Sequence, residues 1–340
     1  MASTTPLSRT ALTFYTLVAL IAFAANSVFC RLALSNEQAV PLIDPSSFTA
    51  IRLASGALML ALLMLLTSVK GRSKQDLAIQ NLATQDIATQ NLVTNDKLPT
   101  KKHGSYLAAG LLFVYAIGFS YAYVLLDTAT GALVLFAAVQ ISMMMISYLQ
   151  GQRLNLLEII GALVAFAGFG YLVWPSLSLG SETLSITGLV LMAISGCAWG
   201  GYTLLGKGTA NPLFATGYNF IRTLPLVVLM LAIVWLLSGL VSVTQSDPAG
   251  LVFQLSTQGV VLAILSGALA SGVGYALWYQ ALRGLSANHA AVLQLSVPVI
   301  AAVGGVIFVG EKISLHLIIC ASIILFGIAL VILAKTKSKL

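Results

Sequence analysis

Charge is what this sequence has least of. Only 8% of its 340 residues are Asp, Glu, Lys or Arg, against about 25% in a soluble domain. So few charges cannot cover a water-facing surface, so most of the exterior must face lipid. Acidic residues are scarcest, ten in all, and none lies at the centre of an apolar run. This argues against proton exchange through a carboxylate in mid-membrane. The three cysteines (Cys30, Cys197, Cys320) are odd in number, scattered and set inside apolar runs. They read as packing residues and form neither a disulfide framework nor a zinc spacing. No phosphate-binding loop, His/Cys cluster or nucleophile–base pair is present, so neither an enzyme nor a bound metal or cofactor is expected. The formal net charge of +7 is spread over short connections, not gathered in a groove-sized patch. Nucleic acid is therefore not an expected partner; a lipid bilayer and a small-molecule substrate are.

What is present is apolar sequence, 59% of the chain. Ten stretches approach or reach the roughly 20 residues that a spanning helix needs. They are Ala11 to Leu34, Ser47 to Val69, Ser105 to Leu126, Ala129 to Leu149, Leu157 to Trp174, Ile186 to Leu205, Ala215 to Leu237, Val260 to Leu282, Ala290 to Val309, and Leu315 to Leu333. They are continuously apolar, without the alternation of barrel strands. With the N-terminus inside, basic residues such as Arg9, Lys70, Arg153, Lys207, Arg283 and Lys335 collect in cytoplasmic connections. The outer loops keep Lys312 alone, with Arg31 close to that face. This is the positive-inside pattern; both termini are expected in the cytoplasm, and a plasma membrane, the bacterial inner membrane, is the expected location. Arg9, the run from Ala11 and the small residues Ala22 and Ala24 resemble a secretory signal peptide, but the run continues to Leu34, which suits a retained anchor. The long connection from Lys70 to Gly104 repeats a five-residue unit (Gln75-Asp-Leu-Ala-Ile, Gln80-Asn-Leu-Ala-Thr) that is too short for a solenoid. A flexible cytoplasmic insertion over 70–104 is expected.

The halves echo each other. Gly151-Gln-Arg-Leu-Asn-Leu matches Gly310-Glu-Lys-Ile-Ser-Leu, and at the same offset Gly168 falls on Gly327. Ile51-Arg52 matches Ile221-Arg222. Small-residue centres recur in helices one and six, Ala24-Ala25-Asn26-Ser27 against Ala198-Trp199-Gly200-Gly201. Each half then holds five helices. Five is odd, so the second half must enter the membrane inverted. The fold class expected is an all-α integral membrane protein of ten helices in two inverted five-helix repeats, residues 1–174 and 175–340, the arrangement of secondary transporters.

The arginines of helices two and seven, Leu293-Gln-Leu-Ser-Val-Pro298 and Gly310 to Ser314 carry a family resemblance. The chain resembles the drug/metabolite transporter superfamily, of the ten-helix EamA type, over most of its length outside 70–104. It departs from the pattern at Val139, where proline is favoured, and at Gln152, where glutamate is. The resemblance implies export or exchange of a metabolite, and a cavity wall at Trp199 and Tyr202. Candidate substrate-binding residues are Asn26, Arg52, Trp199, Tyr202, Arg222 and Gln294, with Pro298 as a hinge. Pro298 cannot donate to the Gln294 carbonyl, which is left free inside the membrane. Arg52 and Arg222 have two readings each: anchoring at headgroups and helix-end carbonyls, or contact with an anionic substrate. Tyr123 and Tyr279, near helix ends, read as interfacial belt residues. An amino acid or derivative is the first substrate class, a phosphorylated or other anionic metabolite the second. A channel or sensor without turnover is the alternative from another class.

Overall fold

A computed structural model describes residues 8–35, 41–83, 104–151, 156–178, 185–206, 209, 211–241, 253–281, 284–285 and 293–337. Every named element among them is helical: α1 (Arg9–Leu34), α2 (Pro45–Ala83), α3 (Tyr106–Leu125), α4 (Thr128–Leu149), α5 (Leu156–Ser178), α6 (Ile186–Gly206), α7 (Pro212–Val241), α8 (Thr257–Ala281), α9 (Ser296–Val309) and α10 (Leu315–Lys337). Seven are long and apolar enough to cross a bilayer; α5, α9 and α10 contain shorter apolar stretches. Large apolar side chains stand exposed on the outside, among them Leu58, Leu163, Trp235 and Phe308. Water would not tolerate such a surface, and lipid does. The chain is a multi-pass membrane protein.

The helices begin where the sequence offers caps. Ser8, Ser105 and Ser256 each accept a hydrogen bond from the backbone N–H three residues on, at 3.2, 3.0 and 3.0 Å, satisfying one of the orphan donors of a first turn. Gly151 and Gly310 take left-handed backbone (φ 87° and 83°) just beyond the ends of α4 and α9, a conformation that favours glycine.

The core draws buried side chains from all ten helices, with α1, α3, α4, α6, α8 and α9 meeting at its centre. Helix α1 packs on α8 and α9, α6 on α3 and α4, and α4 on α9. Helices α2 and α7 pair, α2 also lying against α8 and α7 against α3, while α5 and α10 form a tight pair joined to the rest mainly through α4.

Three expectations change. Helix α2 does not stop at Val69 but runs on to Ala83, because Leu, Ala, Gln and Lys in this stretch propagate a helix without proline; residues 84–103 of the expected insertion lie outside the described residues. Tyr123 is no belt residue: it is fully buried, 4.7 Å from the Phe119 ring. Helix α1 runs unbroken through Ala22-Phe23-Ala24, with Ala19, Leu20 and Ala24 in the core. Before α9 the helix is interrupted at Leu295, so Pro298 sits in a first turn, where its missing N–H has no partner to lose.

Candidate functional site

A narrow pocket lies where the core helices converge. Phe23, Asn26 and Ser27 come from α1, Tyr115 and Phe119 from α3, Leu135 and Phe136 from α4, Trp199 from α6, Ala270 and Tyr275 from α8, and Gln294 from the turn before α9. Its walls are mostly aromatic. The Trp199 ring lies 4.8 Å from Tyr115 and 5.1 Å from Tyr275, and Phe23 lies 5.7 Å from Tyr275. Such tilted and edge-on contacts lock the rings against one another and hold the walls in place.

Polar groups enter at defined points. Asn26 is buried; its Nδ2 donates to the Tyr115 hydroxyl at 3.2 Å and its Oδ1 accepts from Ser266 Oγ. Ser266 belongs to a π-helical stretch of α8, Leu265–Val273. The wider turn lets α8 press on α2: a side chain at Gly267 would strike the Arg52 carbonyl and Ser55. Such π segments are frequent at functional sites. Ser195 Oγ bonds the Tyr115 carbonyl at 2.7 Å, fixing α6 to α3 beside the pocket.

Of the residues singled out from the sequence, Asn26, Trp199 and Gln294 line this one pocket. Tyr202 stands behind Trp199 (5.3 Å between rings), buried, with its hydroxyl near Asn219 and Thr216 but outside hydrogen-bonding geometry. Arg52 lies behind the wall, 1% exposed, with Nη2 donating to the Tyr115 hydroxyl at 2.8 Å. Arg222 is elsewhere. Its guanidinium lies 5.3 Å from the Tyr106 ring and 5.7 Å from Tyr218, near Gly104 at the start of α3. Pro298 is buried one turn from Gln294.

Sequence reasoning missed Tyr115 and Phe23, and it missed the closure of one end. Arg31, on α1 one turn past Ser27, is 7% exposed. Its Nε meets Glu311 Oε1 at 3.2 Å, its Nη1 donates to the carbonyl of Tyr123 at 3.0 Å, and its Nη2 approaches Asp127 Oδ1 at 3.5 Å. Glu311 in turn caps α4, its oxygens accepting from the Thr128 N–H at 2.8 and 3.0 Å and from the Thr128 hydroxyl at 2.9 Å. The connection after α1 pairs with the one before α8: the Asp44 N–H donates to the Gln254 carbonyl at 3.0 Å and the Ser256 N–H to the Leu42 carbonyl at 2.9 Å. The pocket is thus shut at the Arg31 end by contacts from α1, α3, α4 and the α9–α10 turn. Burial, outweighing the Thr128 hydrogen bonds and Arg31, lifts the Glu311 carboxyl above the ordinary glutamate range.

A family model described as the EamA-like transporter family matches residues 186–333. The Pseudomonas aeruginosa protein PA1977 is 40% identical over 317 residues, 93% of each chain. The Bacillus subtilis transporter YwfM is 23% identical over 158 residues, 46% of this chain and 49% of that one. A solved crystal structure with 18% sequence identity superimposes with a TM-score of 0.52, over 95% of this chain and 98% of the other; at that identity the likeness is one of fold. The multi-pass helical architecture, the matched second half and the likeness to a Bacillus subtilis transporter agree, and the chain belongs to the EamA-like transporter family of the drug/metabolite transporter superfamily.

Proposed function

We propose that this transporter moves a small organic metabolite, amino acids and their derivatives included, across the bacterial inner membrane by alternating access, as an exporter or exchanger. One observation carries the reading. The aromatic pocket draws its lining from both the first and the second half of the chain and is shut at one end by a polar network that also joins the halves. A site at the interface of two halves can be exposed to either side when they rock.

The ten helices are read as ten crossings in two inverted repeats, 1–174 and 175–340. The contacts support this. Exchanging helices one to five for six to ten turns the α3–α6 contact into α8–α1, α4–α6 into α9–α1, and α2–α8 into α7–α3, and each of these pairs packs together. Gly151 and Gly310 occupy matching left-handed positions. A phosphorylated substrate would want several convergent basic groups, and Arg52 is the cation nearest the described pocket.

The test is counterflow in proteoliposomes loaded with a metabolite extract. Saturable, trans-stimulated exchange is expected, and Trp199→Ala should weaken apparent affinity by roughly 10-fold through loss of a large aromatic contact. Linear, unsaturable flux would identify a channel. Orientation has its own check: in intact cells, cysteines at Asn36 and Ser246 should react with an impermeant reagent while one at Gln85 should not. Equal labelling at all three would remove the single orientation.

A further inference from the structure

We infer that the pocket contains a carboxylate subsite made by the Tyr115 hydroxyl with Arg52 behind it, and that the substrate is a small monocarboxylate with a flat apolar body and no ammonium group. The inference rests on the transport reading and narrows its substrate class to those carboxylate derivatives that lack the ammonium group of a free amino acid.

The reasoning begins with Arg52. It is 1% exposed, and no ion pair reaches it among the described residues. Its guanidinium lies 5.1 Å from the centre of the Tyr115 ring and 4.7 Å from that of Phe119, two residues of the pocket wall. Nη2 donates to the Tyr115 hydroxyl; Nη1 is buried without a hydrogen-bond partner. Ring faces offset part of the cost of burying a cation, but a guanidinium held away from water without a counter-charge is expensive. It is tolerated where function uses it.

Tyr115 carries that charge to the pocket. Its oxygen accepts from Arg52 Nη2 at 2.8 Å and from Asn26 Nδ2 at 3.2 Å. Two donors occupy the oxygen's acceptor positions, so its own proton must be directed away from both. A phenol that accepts from a cation is a strengthened donor. The Tyr275 hydroxyl stands on that side as a neutral hydrogen-bonding neighbour, and an anionic oxygen would be the stronger acceptor. One guanidinium suits a single carboxylate better than a phosphate, which would want several basic groups. Trp199, Tyr275 and Phe23 present ring surfaces that here pack on one another, and a flat apolar body would take the place of those contacts when the pocket widens. None of the described lining residues is acidic, so an ammonium group has no counter-charge there, which favours a net anion over a zwitterion.

The test takes the full chain in lipid nanodiscs with phenylacetate, its neutral isostere phenylacetamide, and phenylalanine, with binding followed by calorimetry. Phenylacetate should bind at least about 10-fold more tightly than either of the others. Arg52→Gln and Tyr115→Phe should each abolish its preference over phenylacetamide. Tyr115→Phe keeps the ring and its packing, and serves alone should Arg52→Gln fail to insert. Equal binding of phenylacetate and phenylacetamide, binding of phenylalanine as tight as phenylacetate, a preference that survives Tyr115→Phe, or no binding of phenylacetate would each overturn the subsite. Counterflow of the metabolite extract tells which reading has failed. If it persists, transport stands and the subsite falls; if it is absent from folded protein, the transport reading itself falls.

Discussion

Substituting valine for Gly327 is expected to leave little folded protein in the membrane. Helices α5 and α10 touch through glycine backbone: a Cβ at Gly327 would lie 2.6 Å from the Gly161 carbonyl oxygen and 2.5 Å from the Ala165 nitrogen, and one at Gly161 would lie 2.7 Å from the Gly327 carbonyl oxygen. The obstacles on both sides are main chain, so no rotamer change makes room. Within a bilayer, helices gain no hydrophobic drive toward each other, and their association rests on this closeness of packing. Pushing the pair apart forfeits contacts along both helices; overpacking costs about 1–3 kcal/mol even where side chains can yield, and here they cannot. Gly170, on the same α5, has open space within 4 Å of the point where a Cβ would stand, and Gly170→Ala should be neutral or slightly stabilising, since glycine disfavours a helix by about 1 kcal/mol. Detergent-solubilised yield and melting temperature by fluorescence size exclusion read both outcomes. Normal yield and melting for Gly327→Val would show that the α5–α10 contact is looser than its backbone geometry.

The duplicated spacing that sets Gly168 on Gly327 pointed to repetition but not to contact, because a shared offset carries no distance. The same limit explains the site. Arg52 and Arg222 look alike in sequence, each following isoleucine in a long apolar run. The fold separates them: α2 is wedged between α3, α7 and α8, so Arg52 is enclosed, whereas Arg222 lies at the start of α3, partly exposed over Tyr106. Asn26, Trp199 and Gln294 stood out because polar or bulky groups beside small residues in mid-membrane are costly or conspicuous. Tyr115 did not, since a tyrosine in an apolar run has no local mark that tells a pocket wall from a belt. Tyr123 shows the same ambiguity in reverse. The Gly310-Glu311 motif was visible, but the reach of Glu311 across 183 positions to Thr128 and 280 to Arg31 follows from the turn of α9 into α10 and from nothing local.

Replacing Glu311 by glutamine should open the Arg31 end of the pocket, and it should do so most strongly near neutral pH. The ionised carboxylate is 6% exposed and does two things at once: it pairs with Arg31 and it accepts from the first N–H of α4, where the helix end favours negative charge. Asp127, with its side chain 56% exposed at 3.5 Å from Arg31, contributes little beside it. Glutamine keeps an oxygen for the Thr128 N–H and loses the charge, so the substitution isolates the ion pair. Losing one partner of a buried pair costs about 3–5 kcal/mol, enough for a labelling change of order 100-fold if even the lower part of that range is expressed as opening. The groups facing the carboxyl are Arg31, Asp127 and Thr128, and burial chiefly, with Asp127 adding to it, raises its pKa above the ordinary value against the pull of Thr128 and Arg31. The sign follows. Above that raised pKa the parent holds its ion pair; as pH falls through it, Glu311 takes up a proton, the pairing with Arg31 is lost, and the parent comes to resemble the variant. In intact cells, with Cys30, Cys197 and Cys320 replaced and a single cysteine at Ser27, labelling by an impermeant reagent should be much faster in Glu311→Gln than in the parent at neutral pH. Taking the ratio of the two at each pH removes the reagent's own pH dependence, and that ratio should fall toward one on acidification. A ratio of one throughout, or one that grows as the medium is acidified, would mean that the end is held shut by the Asp44–Gln254 pairing and apolar contacts, with Glu311 serving α4 alone.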